Sequence, residues 1–441
     1  MYMSRARNLA IVSLLVLSMP LISMADENYE QLKKQVETLQ YQLAQVQQAL
    51  QQYENQSVSK EEVAELKEEV AEASEWKEPN TLIHMAGYAD VGYANQENSD
   101  GSFNVGTFSP IFHYQYRDVV MLESELEMTI ADDGETDIAL EYLTIDYFLN
   151  DYVTILGGKF LSPIGQFRQN IHPSWINKLA SAPPGFGHDG AAPVSDVGFQ
   201  ARGGFPVGRM FANYSAYISN GPELISTVED GEFELEGVEA EGFGKDRDGE
   251  KVFGGRFAVL PLPGLEIGFS GATGQAAVTS IDAGHGDEVE PDEHDEEEPV
   301  DEHDEEEPEF AGDIDDEPAR DYDVIGFDFA WHLNNFTLRG EYVKTKIGAD
   351  YVGITASPGA TWKTWYTQAS YQFPQAKWEP VLRYADFDSP HSSQDQKQWA
   401  VGLNYLFTSS FIGKLTYEFN DGLPGSQADT NRWMLQLAYG F

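Results

Sequence analysis

The chain has 441 residues, 74 acidic against 27 basic side chains, a formal net charge of −47 and no cysteine. A disulfide framework is excluded, as is nucleic-acid binding through a basic surface. Beyond the N-terminus no stretch reaches the roughly 18–20 apolar residues of a membrane helix, so a membrane-spanning form of this chain has to be a barrel.

The first residues read as a secretory signal over 1–25. Arg5 and Arg7 precede an apolar run from Leu9 to Leu21, and Ser23-Met24-Ala25 gives a small-x-small cleavage site. Residues 26–78 form a second unit. Leu32, Val36, Leu39, Leu43, Val46, Leu50 and Tyr53 follow the alternating 4-and-3 spacing of a heptad seam. A second helix restarts at Ser59 and Glu62 in capping-box spacing, carries Val63, Leu66, Val70 and Ala73, and stops at Pro79. So narrow a seam buries itself against other copies or against another surface. We expect an α-helical coiled coil joining three copies and reaching through the periplasm, with cell-wall contact as a further partner.

From Leu82 onward sixteen segments have strand character, roughly 82–94, 106–117, 119–130, 136–149, 152–160, 196–206, 210–219, 250–260, 263–274, 323–333, 335–346, 362–373, 377–388, 396–408, 411–420 and 430–441. Many alternate apolar and polar residues, as in Ile325, Phe327, Phe329 and Trp331, or Trp433, Leu435, Leu437, Tyr439 and Phe441. Their connections alternate short and long along the chain, with 131–135 the one exception. An even-stranded antiparallel transmembrane barrel with short periplasmic turns and long outer loops has this layout. The fold expected is therefore all-β, a 16-stranded barrel over 79–441 preceded by the coiled coil, in the bacterial outer membrane among lipid and lipopolysaccharide.

The acidity is local. Glu223–Glu250 holds 11 acids against Lys245 and Arg247, and Asp282–Asp321 holds 22 against Arg320. The connection 275–322 contains a duplicated octad, Asp292 to Pro299 and Asp301 to Pro308. Its composition buries no core and reads as a solvated, repelling loop at the cell surface. A second reading gives His285, His294 and His303, set among carboxylates, weak binding of divalent cations. No other cofactor is expected.

Alternation also assigns faces. With Phe112, Tyr114 and Tyr116 outward, His113 and Gln115 point inward, and by the same logic Arg202, Arg256, Arg339, Arg383 and Lys159 are expected in the lumen. Glu123, Glu125 and Glu127 share that lining. The connection 161–195 adds Arg168, His172, Lys178 and His188, and is long enough to fold into the barrel and narrow it. The inward cations either make an anion path or pair with the inward acids. No Gly-x-Ser-x-Gly elbow or His-Glu-x-x-His helix is present, so the sequence offers no catalytic set.

Lys159-Phe-Leu-Ser-Pro-Ile-Gly-Gln-Phe167, Asp196-Val-Gly-Phe-Gln200, Tyr217-Ile-Ser-Asn-Gly-Pro222, Gly255-Arg-Phe257, Arg339-Gly-Glu-Tyr342 and Pro380-Val-Leu-Arg-Tyr384 occur in this order. The ordered set, spanning Leu82 to Phe441, resembles the phosphate-selective porins O and P. The resemblance implies a sixteen-stranded trimer that passes small hydrophilic solutes, including anions such as phosphate, over an arginine ladder and a lysine cluster. Lys178 is the one lysine in 161–195 to match the cluster. Alternative functions are a porin whose acidic loop gathers metal cations and a structural tether through the coiled coil.

Overall fold

Period-two alternation becomes strand wherever one face meets an apolar medium and the other a packed interior. The computed structural model describes residues 81–131, 134–187, 191–229, 232–240, 242, 244–281, 318–349 and 359–441. The expected signal segment 1–25, the heptad segment 26–78, His188 and the three loop histidines His285, His294 and His303 lie outside the described residues.

Eighteen strands are described. They are β1 (Thr81–Gln96), β2 (Ser102–Tyr116), β3 (Val120–Ile130), β4 (Thr136–Asn150), β5 (Val153–Leu161), β6 (Ser195–Val207), β7 (Met210–Ser219), β8 (Glu223–Glu229) and β9 (Glu232–Glu239), followed by β10 (Val252–Leu262), β11 (Leu265–Ile281), β12 (Arg320–Leu333), β13 (Phe336–Ile347), β14 (Ala360–Tyr371), β15 (Trp378–Asp388), β16 (Gln396–Leu406), β17 (Phe411–Gly422) and β18 (Arg432–Gly440). Sixteen of them pair antiparallel with their chain neighbours, β7 passing directly to β10. β18 returns to β1, Tyr88 facing Gly440 and Gln96 facing Arg432, which closes the barrel. Closure leaves no sheet edge in lipid, where an unpaired peptide group is costly.

The turns at one end are tight because their residues allow it. Asn334 at φ 54 and Gly264 at φ 77 supply the left-handed backbone that two-residue hairpins need. The outer surface is an apolar belt: Ile325, Phe327, Trp399, Val401, Leu403, Leu435, Leu437 and Tyr439 are all exposed. Their strand neighbours Gln398, Ala400, Asn404 and Ala438 are buried inside.

Two departures from the expected layout occur on the long-loop side. β8 and β9 form a hairpin within the expected loop 220–249, and β8 pairs in parallel with the end of β11, Glu223 facing Ala277. Leu224, Leu235 and Val238 bury into the main apolar cluster, which gives this acidic stretch a reason to fold. β11 and β12 also run further than expected, to Ile281 and from Arg320, so the acidic connection narrows to 282–319.

Candidate functional site: a loop folded across the barrel interior

The described part of the connection between β5 and β6, residues 162–187 and 191–194, lies inside the barrel. Its apolar residues explain why: Ile164, Phe167, Ile171, Leu179 and Phe186 are at most 5% exposed. Phe186 meets Tyr366 of β14 edge-on at 5.1 Å between ring centroids, and Phe167 packs against both. Leu179 buries with Val381 and Ala400 on a neighbouring stretch of wall. The main apolar cluster of the molecule therefore sits between this loop and the inner wall.

Polar contacts fix the loop along its length. Phe167 donates its N–H to Glu341 Oε2 at 3.1 Å, at the start of a π-helical turn, Phe167–Ile171. Just before it, Gly165 has φ 72, and the space where a side chain would stand is filled by the Glu341 carboxylate. Thr345 donates to the Ala191 carbonyl at 2.6 Å and Thr364 to the Pro184 carbonyl at 2.6 Å. Further along the wall Asn404 donates to the Lys178 carbonyl at 2.9 Å, and Lys414 donates to the carbonyls of Ser174 and Leu179. Trp175 covers Gly440 so closely that a Cβ there would stand 2.6 Å from the indole. Gly440 therefore lies beneath the loop.

Arg383 is the central anchor. It is 0% exposed and donates to the Ser181 carbonyl (3.0 Å), the Ser181 hydroxyl (3.0 Å), the Ala182 carbonyl (3.1 Å) and Gln398 (2.8 Å), with Glu418 at 3.6 Å. A guanidinium carries five donors in a fixed fork, so one side chain can hold two loop peptides and a carboxylate together. Arg256, 8% exposed, is clamped by Asp328 (2.6 and 2.8 Å) and Glu266 (2.8 Å). Arg339 is also buried on the inner face, and Arg168 is buried in the loop. These arginines occupy the expected face, but Arg256 and Arg383 serve as packed anchors, not as free lumen charges.

A second group keeps its cations in contact with solvent. Lys178 Nζ sits 3.1 Å from Glu379, with the lysine side chain 25% exposed and the carboxylate 6%. Arg202 pairs with Asp146 at 2.5 Å, 44% against 0% exposed. Arg432 pairs with Glu418 at 2.5 Å, 34% against 0%. In each pair the carboxylate is behind and the cation faces the interior space. Arg432 stands at the long-loop end of β18, whereas Lys178, paired with the second residue of β15, and Arg202, opposite the second residue of β5, both stand toward the short-turn end. The charges of Lys178 and Arg339 both reach His332, so these cations share one region.

The expected acids gather on the other wall. Glu125 accepts from the Tyr88 hydroxyl at 2.7 Å and lies 3.7 Å from His172 of the loop. Glu123 lies 3.6 Å from His113. Glu127 continues the same face of β3. Lys159 departs from expectation. It faces Leu143 and Val197 in register, on the outward row that also carries the exposed Ile145 and Ile155, and its chain lies against Gly242. The reason is local: the inward places of β5 go to Leu156 and Phe160, which pack under the loop, so here the interior is apolar.

Residues 307–439 match the family described as phosphate-selective porin O and P. An anion-selective porin from Comamonas acidovorans superposes with a TM-score of 0.52 at 15% identity, over 82% of this chain and 100% of its own. The outer-membrane channel DcaP of Acinetobacter baumannii (TM-score 0.49, 9% identity, 82% of this chain and 98% of that one) and a trimer form of OmpT from Vibrio cholerae (0.48, 12%, 82% and 99%) are further structural neighbours. No curated protein sequence matches the chain. A closed sixteen-stranded barrel with an apolar belt, together with the family match, makes this a porin-like channel of the bacterial outer membrane and not an enzyme.

Proposed function

We propose that this outer-membrane channel passes small hydrophilic solutes by passive diffusion and prefers anions, phosphate among them. One observation carries the preference: Lys178, Arg202 and Arg432 each present the wet end of an ion pair whose carboxylate is buried. A passing ion meets the cation at shorter range than the carboxylate behind it, and Coulomb energy falls with distance. Matching with a phosphate-selective family and sharing a fold with an anion-selective porin support the same reading. Reversal potentials of the purified protein in a planar bilayer under a salt gradient test it. Chloride is expected to permeate ahead of potassium, with phosphate competing; a strong cation preference would overturn the proposal.

The heptad pattern of residues 26–78 favours an accompanying role in assembly. We read it as joining three copies and spacing the barrel from the cell wall. Deleting 26–78 is expected to leave conductance per barrel unchanged while reducing cross-linked trimer in intact membranes and weakening the envelope. Undiminished trimer would count against it.

A further inference from the structure

Outside the constriction, at the short-turn rim, three side chains fall in one row across three strands. His84 of β1 faces His113 of β2, and His113 faces Glu123 of β3, each pair directly opposite in register. The row is on the inner face, since His84 keeps the parity of Tyr88, whose hydroxyl bonds Glu125 beside Glu123. His84 is exposed, and the side chains of His113 and Glu123 are 24% and 25% exposed, so solution reaches all three.

The two imidazoles face each other through Nδ1, 3.4 Å apart, with rings 27° from parallel. That separation is long for an N–H bond, whose usual length is about 2.9–3.0 Å. It fits two nitrogens bound to one tetrahedral ion: ligands at about 2.0–2.1 Å and tetrahedral angles stand about 3.3–3.4 Å apart. A right-angled site at about 2.0 Å would need a closer pair, about 2.8 Å apart, which disfavours square-planar copper.

Glu123 supplies the second element. Its carboxylate lies 3.6 Å from His113 Nε2, the ring nitrogen away from His84. At this distance its charge, and not a hydrogen bond, favours the ring proton on Nε2, which leaves the Nδ1 lone pair facing His84. Carboxylate-oriented histidine is the common second layer of zinc sites. We propose that His84 and His113 form a two-histidine site for a tetrahedral divalent transition ion of the zinc class, with Glu123 as its orienting residue. Among the described residues no three His, Cys, Asp or Glu side chains converge to hold an ion, so the site is open and water or a solute anion completes it.

Zinc titration calorimetry on the full-length protein in detergent tests this, with folding of each variant checked by its unheated gel mobility. The intact protein is expected to bind one zinc per chain that is lost in His84→Ala and in His113→Ala. Any zinc held by the acidic connection remains in both variants. Glu123→Gln should retain the site and weaken it roughly 10–100-fold. If His84→Ala does not fold, His84→Gln takes its place with the same expectation. Absence of zinc binding in the intact protein, or unchanged stoichiometry and affinity in the folded His84 variant, overturns the proposal. The anion preference of the pore is measured separately and stands or falls on its own.

Discussion

Arg383 on β15 and Ser181 in the constricting loop, 202 residues apart in sequence, are joined twice, through the Ser181 carbonyl and its hydroxyl, each at 3.0 Å. The same guanidinium supports Glu418, which also accepts from Ser181 and Arg432. One buried cation thus ties the loop to the wall and helps set the direction of the Arg432 pair.

Replacing it should therefore act on both. In Arg383→Met the loop loses three hydrogen bonds and Glu418 keeps only one cationic partner. Removing one partner of a buried pair costs about 3–5 kcal/mol. The expected result is a lower temperature for loss of the compact band on unheated gels, with larger and noisier single-channel currents as the loop loosens. A quiet, wild-type conductance would show that the loop is held elsewhere.

The wet cations can be removed one at a time. Lys178→Gln leaves Glu379 with the Ser370 hydroxyl but no cation beside the constriction, and removes one unit charge. At about 4 Å a unit charge in water is worth about 1 kcal/mol with opposite sign to each ion, so about 2 kcal/mol and roughly thirtyfold in an anion-to-cation ratio. The chloride-to-potassium permeability ratio is expected to fall by up to that factor, and Arg202→Gln and Arg432→Gln should move it the same way. Unaltered reversal potentials in all three variants would remove these residues from the selectivity path.

Gly165 admits no side chain. Its φ of 72 lies in the left-handed region, costing other residues about 1–2 kcal/mol, and Glu341 occupies the Cβ position. Gly165→Ala should displace Glu341 from the Phe167 N–H, lower thermal stability by at least that amount and change conductance without affecting membrane targeting. Circular dichroism melts and bilayer recordings on the same preparation check both.

Phe441 points outward, stacks on Phe108 at 6.2 Å and exchanges both backbone hydrogen bonds with Gly87. Near an interface a lysine costs a folded barrel only about 0–1 kcal/mol. Phe441→Lys therefore leaves the conductance of assembled pores intact, and the loss of its ring contacts with Phe108 and Tyr439 is expected to reduce the amount of barrel assembled in membranes. Normal membrane levels would contradict a role for this residue in assembly.

The barrel was readable because its outer medium is uniform: lipid imposes the same apolar alternation on every strand, and the two ends differ in loop length. The faces of Arg256, Arg339 and Arg383 follow from that alternation alone. Their partners do not, because Asp328 reaches Arg256 from two strands along the wall and Ser181 reaches Arg383 from the loop, and alternation carries no information about either. Lys159 failed for a related reason, since its neighbours Leu156 and Phe160 turn an apolar face inward wherever the loop covers the wall. Lys414, a loop anchor, could have been found: Ile412, Lys414, Thr416 and Glu418 alternate cleanly with Leu415, Tyr417 and Phe419. The β8–β9 hairpin was hidden by its glutamates, although Phe233, Leu235 and Gly237 already alternate with them in the sequence.

The seam between β1 and β18 has a consequence in time. The first described strand is bonded to the last, with Gly87 and Phe441 exchanging hydrogen bonds across more than 350 residues. Until that contact forms, two strand edges stay open, and no partial barrel satisfies its peptide groups in lipid. Closure, and not the pairing of any single hairpin, is thus the step that makes this sheet stable in lipid.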